Sequence, residues 1–546
     1  MRHWIPSPWS ASAWLLALPI ALPILVLIHA LFGPPSANWQ HLQQTVLATY
    51  ITNTLLLMLG VGFLSLLMGV GCAWLTARYT FFGSRLLAPA LVLPLAAPAY
   101  LTGYVYADLL EYSGPVQSLL KTWSDDLGWQ MGLPSVRSLP GAAMVLALVL
   151  YPYIFVLART SFLQQGSALL DAARTLGATS LTTFWRVGLP IARPAIAGGL
   201  ALVLMETVAD FGVVEHFGVP TLTAGIFRTW FAMGAYQTAL QLAAWLFGIV
   251  LLLVLAEQLS RRGVSFAATS TRATVGPIPL QGVHSMLACL ACALPVALGF
   301  LIPLGYLVYL VATFVDLTDL GALITPLLNS VQVAGVAAAC CAAAALWLSY
   351  AQRLGGGVGL QLGIRVATLG YAIPGMVLAV AILPPLASVD KALAGWLGER
   401  FGFAIGLLFT GTVSALVFVY VARFLTVAYN STQGGFSLVH PNLDAAARSL
   451  GSSPADVLRR VHLPLLRPAL VAALLLVFID VMKELPATLI LRPFNFETLA
   501  TQVFRLAGDE RLAEAALPAL MIMSLSILPV VTYLLAIEPK LPKKKL

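Results

Sequence analysis

Four acidic residues sit in long apolar runs, where acids are costly. Glu206 and Asp210 lie in the run 192–214, and Asp480 and Glu484 in the run 467–490. Each pair is spaced i, i+4, so its two carboxylates share one helix face. An acid at mid-span costs ~2.5–3.5 kcal/mol on membrane-insertion scales, so such a pair is expected to face a polar interior. The chemistry on offer is electrostatic: an anionic vestibule or gate along a pathway for a cationic solute. The competing reading is four acids solvated at the outer interface. Lys483 is expected to offset part of the charge of Glu484. Tyr104, Tyr106, Asp108, Glu111 and Tyr112 gather further oxygen donors near the end of the run 86–110. Oxygen ligands suit hard cations, but tyrosines also serve as plain interface anchors.

Other constellations lead nowhere catalytic. Cys289 and Cys292 have CxxC spacing, with no second pair or histidine cluster to complete a metal site. With Cys72, Cys340 and Cys341 they read as small residues inside apolar helices. His3, His29, His41, His216, His284, His440 and His462 are scattered, so no metal site is expected. Gly355-Gly356-Gly357-Val358-Gly359 has no following lysine, and GxxxxGK[ST] occurs nowhere, so no nucleotide phosphate is cradled. The chain is not expected to be an enzyme or to bind a cofactor of its own.

The elements that must position the acids follow from composition. Hydrophobic residues make up 60%, charged residues 10%, and mean hydropathy is +0.90. No Asp, Glu, Lys or Arg occurs between Arg2 and Arg78. A soluble surface needs about 25% charged residues, so the chain is a polytopic membrane protein. Its apolar runs are about 20 residues long, the length of a spanning helix rather than a barrel strand. They fall at 14–32, 52–77, 86–110, 140–159, 192–214 and 238–257, then at 284–312, 325–350, 366–388, 402–428, 467–490 and 515–537. The first is too long for a signal-peptide core, and no clear cleavage site follows it, so it reads as a retained helix.

A repeat organises these runs. Between 172–195 and 446–469, 12 of 24 positions are identical at a constant offset of 274. Ala172, Ala173, Arg174, Gly177, Leu189 and Pro190 match Ala446, Ala447, Arg448, Gly451, Leu463 and Pro464. The two acid pairs correspond at the same offset, and Asn53 with Asn329 and Pro98 with Pro374 correspond at 276. The expected architecture is all-α, with about twelve transmembrane helices in two parallel six-helix repeats. Residues 1–260 form one repeat, 261–282 a linker and 283–546 the other. An even number of helices relates the repeats by an axis along the membrane normal, with a pathway between them.

Charge gives the orientation. With the N-terminus in the cytoplasm, 21 of 30 basic residues fall in cytoplasmic segments, as the positive-inside rule requires. That count includes Arg423. Both termini and both repeated segments are then cytoplasmic. The net charge of +8 is a topology signal, with anionic lipid and not nucleic acid as partner.

Each repeated segment reads as two short helices joined at a glycine. Gly177 and Gly451 stop the first helix, and Ser453 caps the second, with Pro454 at its first position and Asp456 three residues after the cap. The bland reading is a hairpin that only joins two membrane helices. A mere connector, however, need not repeat Ala-Ala-Arg-x-Leu-Gly and Leu-Pro at fixed spacing.

Asp171-Ala172-Ala173 with Gly177 and Leu189-Pro190 resembles the EAA loop of binding-protein-dependent ABC importer permeases. The second copy departs from it, with Ala445 at the acid position and Asp444 one residue earlier, ~100° around a helix. The resemblance implies a fused two-half permease in a bacterial inner membrane. It implies two ATPase copies carrying ATP and magnesium, which dock on coupling helices around Asp171 and Asp444. It also implies a periplasmic or lipid-anchored substrate-binding protein. Glu206-Thr-Val-Ala-Asp210-Phe-Gly and Lys483-Glu-Leu-Pro-Ala-Thr-Leu are similar to ferric-iron permeases, which implies import of ferric iron by alternating access. Thiamine or another small solute is the alternative. An ion-coupled secondary transporter would leave the twin segments unexplained. A non-transporting scaffold would tolerate loss of all four acids.

Overall fold

The computed structural model describes residues 8–126, 134–165, 175, 177–261, 278–315, 321–355, 357–401 and 406–537. The described chain is almost wholly helical. Among the described residues ten helices are long and apolar enough to cross a membrane. The pair Ser84–Ala96 and Ala99–Thr122, bent by 92°, is long and apolar enough only when taken together, as a broken span or a re-entrant loop. The last expected run lies on Leu512–Ile537.

The elements used below are α1 (Pro8–Phe32), α2 (Leu47–Arg78), α3 (Ala99–Leu110), α4 (Leu139–Gln164), α5 (Leu189–Ala209), α6 (Leu222–Phe231) and α7 (Tyr236–Arg261). They continue with α8 (Gly282–Val296), α9 (Ile302–Phe314), α10 (Gly321–Leu354), α11 (Val358–Ala367), α12 (Gly375–Phe401) and α13 (Val413–Ser437). The last are α14 (Asn442–Ser449), α15 (Leu463–Met482), α16 (Pro486–Leu491), α17 (Leu499–Gly508) and α18 (Leu512–Ile537).

Two compact units form. One comprises Met1–Gln40, Ile226–Phe247 and Asp316–Arg505; the other comprises His41–Gly225, Gly248–Val315 and Leu506–Leu546. The cores are alike. In the second unit α2 packs along α4 and α5, and in the first α10 packs along α13 and α15. Small residues permit the close approach, since lipid tails supply no hydrophobic drive between helices. A Cβ on Gly69 would lie 2.8 Å from the Ile154 Cβ, one on Gly199 2.8 Å from the Ile154 Cα, and one on Gly435 2.6 Å from the Ala469 Cβ. The leading helix of each repeat joins the other repeat's core. α1 packs on α11 and α12, whereas α9 packs on α3 and α18.

Proline sets the breaks. Pro98 separates a 3-10 turn at Leu93–Ala96 from α3, and Pro374 separates one at Leu369–Ala372 from α12. Three π-turns, at Phe184–Gly188, Ala297–Leu301 and Leu458–His462, each end two residues before Pro190, Pro303 or Pro464. A proline ring crowds the carbonyl four residues earlier and has no N–H to bond it, so the preceding turn widens.

Candidate functional site

The second repeated segment is described throughout. α14 is exposed along Ala445, Ala446 and Arg448, and three large apolar side chains surround it: Leu438 at 87% exposure, Leu443 at 44% and Leu450 at 85%. The chain then turns at Gly451, with φ of 80°, a conformation open to glycine at no steric cost. The Ser453 hydroxyl caps the next turn: it accepts from the Asp456 amide at 3.2 Å and donates to Asp456 Oδ2 at 2.6 Å. Leu463 and Pro464 open α15.

One residue of α14 points inward. The Asp444 side chain is 13% exposed; Arg353 Nε donates to its Oδ2 at 2.8 Å, and His462 Nε2 lies 2.6 Å from its Oδ1. The histidine contact is short but outside hydrogen-bond geometry. Burial works to raise the Asp444 carboxyl, but the Arg353 hydrogen bond and His462 outweigh it and hold the group below the usual carboxylate range. Arg353 also donates to the carbonyls of Phe436 and Val439, and the Tyr350 hydroxyl donates to the Pro454 carbonyl at 2.5 Å. The acid one residue early therefore still finds a basic partner. It ties α14 to the end of α10 and, through His462, to the start of α15.

In the first copy Asp171, Ala172, Ala173 and Arg174 lie outside the described residues. Gly177 makes the matching turn at φ of 84°, and the Thr179 hydroxyl accepts from the Thr182 amide at 3.2 Å, as Ser453 does in the other copy. Leu189 and Pro190 open α5, and Arg186 is exposed.

The four acids divide into two roles. Asp210 Oδ1 accepts from the amides of Val213 and Val214 at 3.1 and 3.3 Å, capping the short helix that follows α5. Glu484 accepts from the amides of Ala487 and Thr488, both at 3.2 Å, capping α16. Each thus supplies acceptors to orphan helix N–H groups. Glu484, 3% exposed, also pairs with Arg423 Nη1 at 2.8 Å. Lys483 pairs with Asp480 at 2.9 Å, so the expected Lys483–Glu484 compensation is replaced by two separate pairs. Arg423 lies within the span of α13 rather than in a loop. A buried carboxylate needs its cation nearby, and this demand draws the arginine into the helix. A Cβ on Gly375 would overlap both members of the Arg423–Glu484 pair. Glu206 is half-buried.

The tyrosine and acid set does not converge on one point. The Tyr106 hydroxyl donates to the Leu298 carbonyl at 2.6 Å, Tyr306 to Asp108, Glu111 pairs with Arg137 at 2.8 Å, and Lys121 lies over the Tyr112 ring. Tyr104 is buried. Among the described residues no three His, Cys, Asp or Glu side chains cluster as metal ligands.

Two helical cores that each carry one glycine-broken segment define a membrane permease built from two fused halves. The chain belongs to the family described as binding-protein-dependent transport system inner membrane component. That family matches it twice, over residues 65–262 and 354–542, and each match holds one repeated segment. It is a multi-pass inner-membrane permease subunit of an ABC importer. It is similar to the Fe(3+)-transport system permease protein FbpB 2 of Haemophilus influenzae, 26% identical over 527 residues, or 94% of this chain and 96% of that protein. Similarity to the ferric transport system permease protein FbpB of Actinobacillus pleuropneumoniae is 24% over 508 residues, covering 87% of this chain and 67% of that one. The molybdenum transport system permease protein ModB of Haemophilus influenzae is 29% identical over 207 residues, covering 36% of this chain and 86% of its own.

Proposed function

We propose that this permease imports ferric iron from periplasm to cytoplasm by alternating access, driven by a separate ATPase that binds the two repeated segments. The observation that carries the reading is the tie at Asp444. An exposed helix with apolar neighbours at its rim is fixed to two membrane helices by a half-buried carboxylate, so a push on α14 is transmitted to α10 and α15. Two ATPase copies, one per segment and each holding ATP and magnesium, suit a chain that carries the segment twice. The segments and both termini face the cytoplasm in this reading, supported by the placement of the basic residues. Residues 1–260 and 283–546 are the two repeats and 261–282 the linker. A periplasmic or lipid-anchored binding protein delivers the solute.

Ferric iron is favoured because the two ferric permeases match across both halves, while the molybdenum relative matches about one half. Glu206, Asp210, Asp480 and Glu484 are the polar residues of the path, with Asp210 and Glu484 holding the helix breaks that shape it. The deciding experiment is ATP-dependent uptake into proteoliposomes containing permease, ATPase and binding protein, offered ferric ion, thiamine or molybdate. Ferric uptake alone supports the reading. Uptake of another solute removes the iron assignment, and uptake without the ATPase removes the coupling role.

A further inference from the structure

The two repeats build one turn twice and finish it differently. Residues 217–225 correspond to 494–502, and both turns pass through a left-handed residue, Gly218 at φ of 67° and Asn495 at φ of 60°. The Asn53 side chain donates to the Pro220 carbonyl at 3.1 Å, and Asn329 to the Glu497 carbonyl at 2.9 Å. The Leu222 amide donates to the Thr54 hydroxyl at 3.0 Å, and the Leu499 amide to the Ser330 hydroxyl at 2.8 Å. The frames are alike, yet Phe217 is 3% exposed and Phe494, at the matching position, is 95% exposed.

The Phe494 turn is bracketed by ion pairs. Glu497 pairs with Arg492 at 3.6 Å and with Arg505 at 3.0 Å, tying both sides of the turn together. α15 separates the turn from the Asp444 segment by roughly 30 Å, at 1.5 Å per residue. Irregular backbone flanked by charges does not face lipid hydrocarbon, so Phe494 projects into water or the headgroup region. A large apolar side chain held clear of the protein at that level matches the anchors that dominate protein interfaces. A monomeric partner that meets two related repeats cannot make equal contacts on both, and the difference between Phe217 and Phe494 supplies an inequality.

We propose that the turn at 492–498 is a docking anchor for the solute-binding protein, with Phe494 seated in an apolar pocket of that partner. The orientation part of this proposal rests on the reading that residues 442–462 face the cytoplasm. The test uses the intact permease–ATPase complex in lipid nanodiscs and the purified binding protein of the same transport system. Phe494→Ala should weaken binding by roughly tenfold or more, while Phe494→Tyr retains it. Phe82→Ala should leave it unchanged, because Phe82, at 81% exposure, follows the end of α2 remote from Asn53. Unchanged affinity in Phe494→Ala overturns the proposal. So does retained affinity combined with solute leak in the absence of the binding protein, which would make Phe494 a pathway residue. Phe494→Cys, read against wild-type background, should react with a membrane-impermeant maleimide in spheroplasts and be shielded by added binding protein. Reaction only in inside-out vesicles would overturn the orientation, whatever the affinity result.

Discussion

At the junction below the membrane helices the two repeats fill one space in opposite ways. In the first, the Trp74 indole lies over Gly188, where a Cβ would come within 2.6 Å of its Cζ3. In the second, Tyr350 stands in place of the tryptophan and His462 in place of the glycine, with ring centroids 5.6 Å apart. Bulk has moved from one helix to its neighbour while the junction keeps its shape, as close packing requires. The exchange also changes the chemistry. Gly188 has no side chain to offer, whereas His462 meets Asp444, and Arg353 completes the cluster where the first repeat has Ala77. Related geometry therefore does not mean equal roles: His462 reaches the acid of the second segment from a position where the first repeat has only Gly188, and the nearest arginine of the first repeat, Arg78, stands one residue further along than Arg353.

The largest expected effect tests how far that inequality reaches into the span. Arg423→Ala strands Glu484 and should cost about 3–5 kcal/mol, read as a lowered Tm in detergent. Adding Glu484→Gln should recover most of it. The matching first-repeat residue is Val149, and Val149→Ala should cost far less; equal losses would remove the distinction. Next, Gly188→His should cost about 1–3 kcal/mol through overpacking, and Trp74→Tyr in the same chain should restore Tm if the two repeats trade volume as described.

A smaller effect on folding, but a clear one on coupling, is expected for Asp444→Asn: several-fold slower uptake with ATP hydrolysis retained, measured in proteoliposomes. Because the Asp444 carboxyl is held below its ordinary value of 3.8, its stabilising contribution is present above that value and is lost as pH falls through the lower folded one. The tie is therefore intact across neutral pH, and a coupling defect that appears only above pH 6 in wild type would contradict it. The smallest effects are those of Thr179→Ala and Ser453→Ala, each about 1 kcal/mol from a lost cap. Equal shifts in thermal unfolding would show where the two segments are interchangeable.

What was legible in the sequence was what repeats or acts locally. The identical blocks revealed two halves, Gly177 and Gly451 the turns, and Ser453 the cap, because each depends on neighbours a few residues away. Asn53 and Asn329 were visible as a matched pair, but their shared task, holding a carbonyl 167 and 168 residues further along, was not. A charge count places Arg423 among the cytoplasmic cations because it ignores partners, and only packing brings it to Glu484. Adjacency points Lys483 at Glu484, although one turn of helix sets it beside Asp480. The π-turns carry a sequence signal of their own, a proline two residues beyond each.

The exchange of leading helices bears on how the protein is made. Since α1 completes a unit whose remainder is drawn largely from residues 316–505, and α8 and α9 complete the other, the core of the first repeat cannot close when that repeat leaves the ribosome, whereas the second finds α1 already made. The first helix must wait in the membrane through most of synthesis. A chain severed in the 261–282 segment would yield two fragments, each lacking a helix that only the other supplies, and so recoverable together rather than apart.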